Sequence, residues 1–445
     1  MNGPHPFSIP AFRAYWISRF VAVIATMSIV VIIGWQVYDI ARSDYGMSPK
    51  TAAFQLGLLG LAQFVPLFVL TPVAGWAADR FERRTVARLA NMIDLGIAVA
   101  LGLLTMYDML NLPVMFLMAA LHGMARVFVG PAMNAIAPNL VPIESLPRAI
   151  ALSSIAWQSA SVIGPAAAGF LYAENAAMPY WVAAVLLGLA NLALTRIPPI
   201  HPPANPGRPH PVRQMLDGLH YTWSERFLLG AITLDLFAVI LAGATALLPV
   251  YARDILHVGA EGMGLLRAAP ALGAAIVALY LTFKPLRHNV GAKMLWAVVI
   301  FGLATIGFGW SHEICVRIFG DASWTIYIPK VGDITQSASM WVALAMLSIL
   351  GASDMLSVFV RGSLVQLNTP DAMRGRVSSI SGLAISASNE LGELQSGFAA
   401  ALLGPVGAVV FGGVGAIMVT GLWAWLFPEL KNARTFEPQF KEKAR

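Results

Sequence analysis

This chain of 445 residues has a single cysteine, Cys315. One cysteine excludes an internal disulfide and any metal site built from several thiolates. Charge is scarce too, with Asp, Glu, Lys and Arg together at 12%. Soluble domains carry about 25%. The phosphate-loop pattern G-x-x-x-x-G-K-[ST], the H-E-x-x-H pair and the G-x-S-x-G elbow are all missing. Their absence argues against hydrolase chemistry and against a self-contained ATP-driven pump. We expect a protein that is not an enzyme and uses no cofactor or metal.

What the chain does have is apolar length. Apolar residues make up 58%, and the mean hydropathy is +0.69. A soluble fold of this size could not hide so much apolar surface. Twelve runs reach the roughly 20 residues a bilayer core requires. They fall near 14–39, 51–77, 85–107, 112–137, 148–172, 178–197, 227–252, 261–284, 291–311, 338–367, 372–402 and 405–427. Met1–Pro10 is polar and proline-rich, and the first run is long enough to span, so it should stay as a helix. The fold class expected is an all-α polytopic membrane protein in contact with the lipid bilayer.

The net charge of +6 does not indicate a nucleic-acid partner, because the cations sit in short clusters between apolar runs. They report topology instead. With the N-terminus inside, only Arg42, Lys50, Arg253, Arg317 and Lys330 fall in outer segments, while Arg126, Arg267 and Arg361 fall within spans. The rest of the 29 Lys and Arg lie at the inner side. Both termini are therefore expected in the cytoplasm. Residues 198–226 begin with a run of prolines and continue with a helical pattern of Met215, Leu216, Leu219 and Trp223. This predicts an extended linker followed by a helix on the inner membrane surface. The domain plan is 1–197, a six-helix half; 198–226, the linker; and 227–445, a second six-helix half with a tail. Residues 311–337 are expected to form a long outer loop, read as an insertion, with a cap on the outer mouth as the alternative.

The stretch Gly75-Trp76-Ala77-Ala78-Asp79-Arg80-Phe81-Glu82-Arg83-Arg84 closes the second run. Gly75 is expected to let two backbones approach. Asp79, among Arg80, Arg83 and Arg84, is expected to stay ionised and paired. The spacing resembles the loop 2–3 signature of the major facilitator superfamily, G-x-x-x-D-[RK]-x-x-[RK]-[RK], at every fixed position. A generic basic loop that only sets topology is the other reading. The family implies a 12-helix fold in two halves and gives this motif a gating role.

Further resemblances follow. In the fourth span, His122 and Arg126 share a helix face. Arg126, followed by Gly130-Pro131, is similar to the family's span-4 arginine pattern, without its glutamine–glycine part. An arginine keeps its proton but can bind an anion or bias a nearby acid; a purely structural ion pair is the alternative. The fifth span carries Gly164, Pro165 and Gly169, with Gln158 and four serines before them. Gly-Pro-x-x-x-Gly resembles the antiporter motif associated with exporters, against a reading as ordinary small-residue packing.

Acids occur at membrane depth, where each is a candidate functional group: Asp94, Asp235, Asp354, Glu390 and Glu393. Glu390 and Glu393 are i,i+3, beside Asn389. Two close carboxylates in low dielectric suit a proton carrier, unless one is simply paired with Arg361 or Arg126. The segments around Asp354–Arg361, Leu364–Val377 and Ala387–Glu393 resemble the enterobactin-exporter-like branch of the superfamily. That branch implies export of siderophores or other amphipathic, drug-like molecules across a bacterial inner membrane, driven by protons. A small-molecule substrate and protons are the partners expected, with the chain acting as a monomer. Nutrient uptake, or a transporter-shaped binder that does not transport, are the other readings.

Overall fold

The computed structural model describes residues 4–201, 211–284, 286, 288–320, 322–328 and 332–436. Residues 202–210 of the expected linker and the tail from 437 lie outside the described residues. The backbone at Asp79 is helical, but its side chain is also outside them.

The chain is built of long helices. The first six are α1 (Pro10–Ser43), α2 (Pro49–Arg80), α3 (Arg83–Met106), α4 (Leu112–Ile136), α5 (Leu146–Glu174) and α6 (Met178–Thr195). A shorter helix, α7 (Pro211–Ser224), follows the linker. Then come α8 (Arg226–Leu241), the single turn α9 (Leu248–Val250), α10 (Gly259–Phe283) and α11 (Val290–Gly309). The chain ends with α12 (Ser311–Phe319), α13 (Ala338–Leu367), α14 (Asp371–Leu426) and α15 (Pro428–Lys431).

Ten of these stretches are long and apolar enough to cross a membrane. Two facts reconcile ten with twelve. Helix α5 spans 29 residues but carries serines and Gln158, which lower its apolarity. Helix α14 covers 56 residues and is two helices fused at Gly404, whose φ of 80° and ψ of 164° are not helical. A positive φ of this kind suits glycine, and Pro405 follows it. The seventh span is also broken. After α8 it passes through a 3-10 turn at Ala244–Leu247 and ends in a π turn at Tyr251–Ile255.

One expectation fails. Residues 311–337 are not a plain loop: they hold α12 and an antiparallel hairpin of β1 (Ser323–Ile328) and β2 (Gly332–Ser337). Trp324, Thr325, Ile326, Tyr327 and Ile328 are the aromatic and β-branched types that strands favour. Among the described residues the fold is therefore all-α but for this hairpin. Cys315, on α12, is buried. Burial pushes its thiol up, with a hydrogen bond from Ser339 acting against the shift.

Two compact units emerge. The first contains 1–46, 59–212 and 263–268; the second contains 47–58, 213–262 and 269–445. In the first, Phe12, Tyr15, Val86, Met133, Ile136 and Leu194 form a buried cluster. Close backbone approach joins its helices. A Cβ on Gly164 would lie 2.8 Å from the Ile24 carbonyl oxygen and 3.0 Å from Met27 Cβ. From the next residue and the following turn of α5, the Pro165 carbonyl and Gly169 Cα face Gly264 of α10. The Gly164–Pro165–Gly169 run thus seats two helices, as small residues do in lipid. We expect Gly164→Val to cost on the order of 2 kcal/mol through overpacking. Thermal unfolding in detergent checks this, and an unchanged midpoint would remove the run's packing role. Gly75 does not make such a contact: nothing lies within 4 Å of a Cβ built there. Close approach on α2 occurs instead at Gly57, where a Cβ would sit 3.0 Å from Gly397 Cα in the second unit.

In that second unit, α7 docks on the start of α14. Asp217 and Arg376 are 3.3 Å apart, and Gly218 sits against the Arg376 backbone. Leu216, Leu219 and Trp223 of α7 stay exposed, the apolar face expected of a surface helix.

Candidate functional site: polar groups at membrane depth

The α2–α3 corner is the first place where the charges acquire partners. Arg83 Nη1 donates to the Ala135 carbonyl at 3.1 Å, and Arg84 Nη1 donates to the Ile197 carbonyl at 2.6 Å. Arg80 lies over the Trp76 ring at 5.6 Å. The arginines therefore serve helix ends as well as topology. Glu82, an unspecified position of the motif, turns out to matter. It caps α3 by accepting from Arg84 N and Thr85 N, and it accepts from Ile200 N at 3.1 Å. Burial raises the Glu82 carboxyl, but hydrogen bonds from Thr85 and Ile200 and the Arg84 charge outweigh it, so the net shift is downward. A depressed folded value gives stability that is present above the unfolded value and lost as pH falls through the folded one. We expect Glu82→Ala to cost about 1 kcal/mol, as lost caps do. Glu82→Gln should flatten the acid limb of the stability–pH curve near and below pH 4.5, measured by detergent melting across pH; an unaltered acid limb would refute this.

The first unit holds a buried acid–base pair. Asp94 of α3 and His122 of α4 are almost fully buried, with Oδ1 and Nδ1 at 2.9 Å. Among the described residues, Asp94 Oδ2 and His122 Nε2 have no hydrogen-bond partner. Arg126, expected on the same face as His122, is only half-buried and is engaged in its own interaction. Asn91, one turn before Asp94, leads to a cavity of about 430 Å³. Its wall includes Arg19, Asn134, Ser154, Trp157 and Gln158 from α1, α4 and α5. Of these, Ser154 and Gln158 belong to the polar stretch that the sequence sets before the Gly164–Pro165–Gly169 run. Arg19 reads in the sequence as one more inner-side cation, so its place in the cavity wall is missed.

The second unit gathers three residues that the sequence leaves scattered. Arg361 of α13 forms a buried ion pair with Asp235 of α8. Asp354, two turns before Arg361, lines the same small void as Asp235, with Ser353 and Ser357. A second carboxylate thus faces the same void as the acid of the Asp235–Arg361 pair. Glu390 is buried, Glu393 half-buried and Asn389 exposed. Both glutamates are engaged in interactions. Between them Gly392 packs on the Val239 carbonyl of α8, with 2.8 Å from a built Cβ.

Long helices at bilayer length, with paired ions inside them, define a multi-pass membrane protein. The model of the Major Facilitator Superfamily matches residues 15–392, and this chain belongs to that family. It is 28% identical over 404 residues to the enterobactin exporter EntS of Citrobacter koseri, covering 90% of this chain and 86% of the relative. To EntS of an Escherichia coli O1:K1 strain it is 29% identical at the same coverage. The fold is shared with the inward-open xylose transporter XylE of E. coli, at TM-score 0.64 and 12% identity over 98% of each chain.

Proposed function

We propose that this chain is a secondary exporter of an amphipathic, siderophore-like or drug-like organic molecule, working by alternating access in exchange for protons. It resides in a bacterial inner membrane as a monomer, with both termini cytoplasmic. Residues 1–197 and 227–445 are its two six-helix halves, joined by 198–226. The observation that carries this reading is the 430 Å³ cavity, lined by Arg19, Asn91, Trp157 and Gln158 inside a lipid-embedded helical unit. Polar groups at such depth are costly and mark substrate paths. The relatives named above, exporters of enterobactin by name, support a siderophore-like cargo and an outward direction.

Proton coupling draws support from charge bookkeeping in the second unit. With Asp235 held by Arg361, Asp354 is a carboxylate in surplus of the local cation, which makes it the first choice as carrier. The Asp94–His122 pair and the Glu390–Glu393 pair are the next. The Asp79–Arg80–Arg83–Arg84 corner is the inner gate in this reading, and Gly164, Pro165 and Gly169 the flexing contact of α5. The deciding experiment is flux in proteoliposomes with an imposed pH gradient over a panel of siderophores and dyes. Cargo should move against the proton flow. Cargo moving with the protons would convert the reading to uptake, and no flux for any cargo would reduce the chain to a binder.

A further inference from the structure

Arg19 is a cation in a cavity wall. Its Nη1 donates to Asn134 Oδ1 at 3.1 Å and to Tyr15 Oη at 3.3 Å. Both acceptors are neutral. Tyr15 Oη is itself held 3.0 Å from Ser153 Oγ, which fixes the guanidinium from behind. Arg19 Nε is buried and has no hydrogen-bond partner among the described residues. Among the described residues no carboxylate forms an ion pair with it. The guanidinium also lies 5.8 Å from the Trp157 ring centroid, and Trp157 is 44% exposed. Asn91, also in the wall, has a buried Oδ1 with no hydrogen-bond partner among the described residues.

These features specify a ligand. A guanidinium with unused donors recognises a planar anion, and its stacking on an indole favours flat groups over compact ones. The indole face and the apolar wall of Val23, Val129 and Met133 suit an aromatic ring. Asn91 Oδ1 can accept from a hydroxyl or amide N–H of the ligand. About 430 Å³ sits at the lower end of small-molecule pockets, enough for one ring system and its substituents. We propose that this cavity is an aryl-anion subsite, which takes one aromatic carboxylate or phenolate group with Arg19 on the charge and Trp157 on the ring. The inference deepens the export reading, on which its biological meaning rests, by naming the group recognised in the N-terminal half.

The test is a binding titration on the detergent-purified full chain, which needs no transport to be read. The probes are 2-naphthoate, its neutral amide and 2-naphthylmethylammonium, nearly equal in shape. Naphthoate should bind the unaltered protein at least tenfold tighter than the amide, and the cation should bind worst. Arg19→Gln should weaken naphthoate at least tenfold and leave the amide unchanged. Trp157→Leu should weaken naphthoate and amide alike by several-fold. Asn134→Asp, which gives Arg19 an internal carboxylate, should also cost naphthoate tenfold or more, and serves if Arg19→Gln fails to fold. Equal affinity for naphthoate and amide, or no binding of naphthoate, would overturn the subsite, as would full affinity in a folded variant of Arg19 or Asn134. Failure of gradient-driven flux would instead overturn the export reading and leave these affinities standing.

Discussion

Arg361→Ala should be the most damaging single change in the chain. The substitution leaves Asp235 buried beside Asp354 with no cation. Breaking a buried pair by removing one partner costs about 3–5 kcal/mol. We expect a large drop in the detergent melting midpoint and transport near background at matched membrane expression. The double variant Arg361→Met with Asp235→Leu tests the cause. Apolar residues of similar volume often replace a buried pair without loss of stability. The midpoint should therefore recover while transport stays absent. A stable Arg361→Ala protein with normal flux would remove both the ion pair and the coupling argument built on it.

The second large effect concerns Asp354. If it is the acid that carries the proton, Asp354→Asn should abolish the dependence of flux on the pH gradient. Cargo exchange with no gradient should survive, since the ion pair of Asp235 and Arg361 is untouched. Substrate-induced proton release, measured in weakly buffered detergent solution, should fall from a clear signal to none. Equal release in Asp354→Asn would move the role to the Asp94–His122 pair or to Glu390 and Glu393. His122→Gln and the Glu390→Gln/Glu393→Gln double variant, in the same assay, then separate those two.

The span plan is legible in the sequence because bilayer length and apolarity are properties of contiguous residues. The break between the last two spans is legible for the same reason: Gly404 and Pro405 interrupt an otherwise even run. The hairpin at 323–337 carried its signal in Trp324–Ile328 but is easily overlooked where loop length alone is weighed. Polar partnerships are another matter. Asp94 and His122 are 28 positions apart, and only the packing of α3 on α4 brings them together. The same holds for Asp235 and Arg361. Helical spacing placed His122 and Arg126 on one face, but burial separates a sealed histidine from a half-buried arginine. Arg19 was hidden by its own usefulness as a topology marker. Glu82 was hidden because the motif leaves its position open, while Ile200, which it also holds, comes from beyond α6.

The turn at Gly404 bears on how the protein is made. A single residue reverses the chain between the last two spans of α14, and no other residue between Asp371 and Leu426 departs from helical geometry. The translocation machinery therefore has no connecting segment to thread through on its own. We expect the two spans to insert as one helical hairpin, with an insertion energy summed over both arms. The apolar second arm then offsets the burial of Glu390 and Glu393 in the first. A charge placed in the last span would be felt as misinsertion of the one before it.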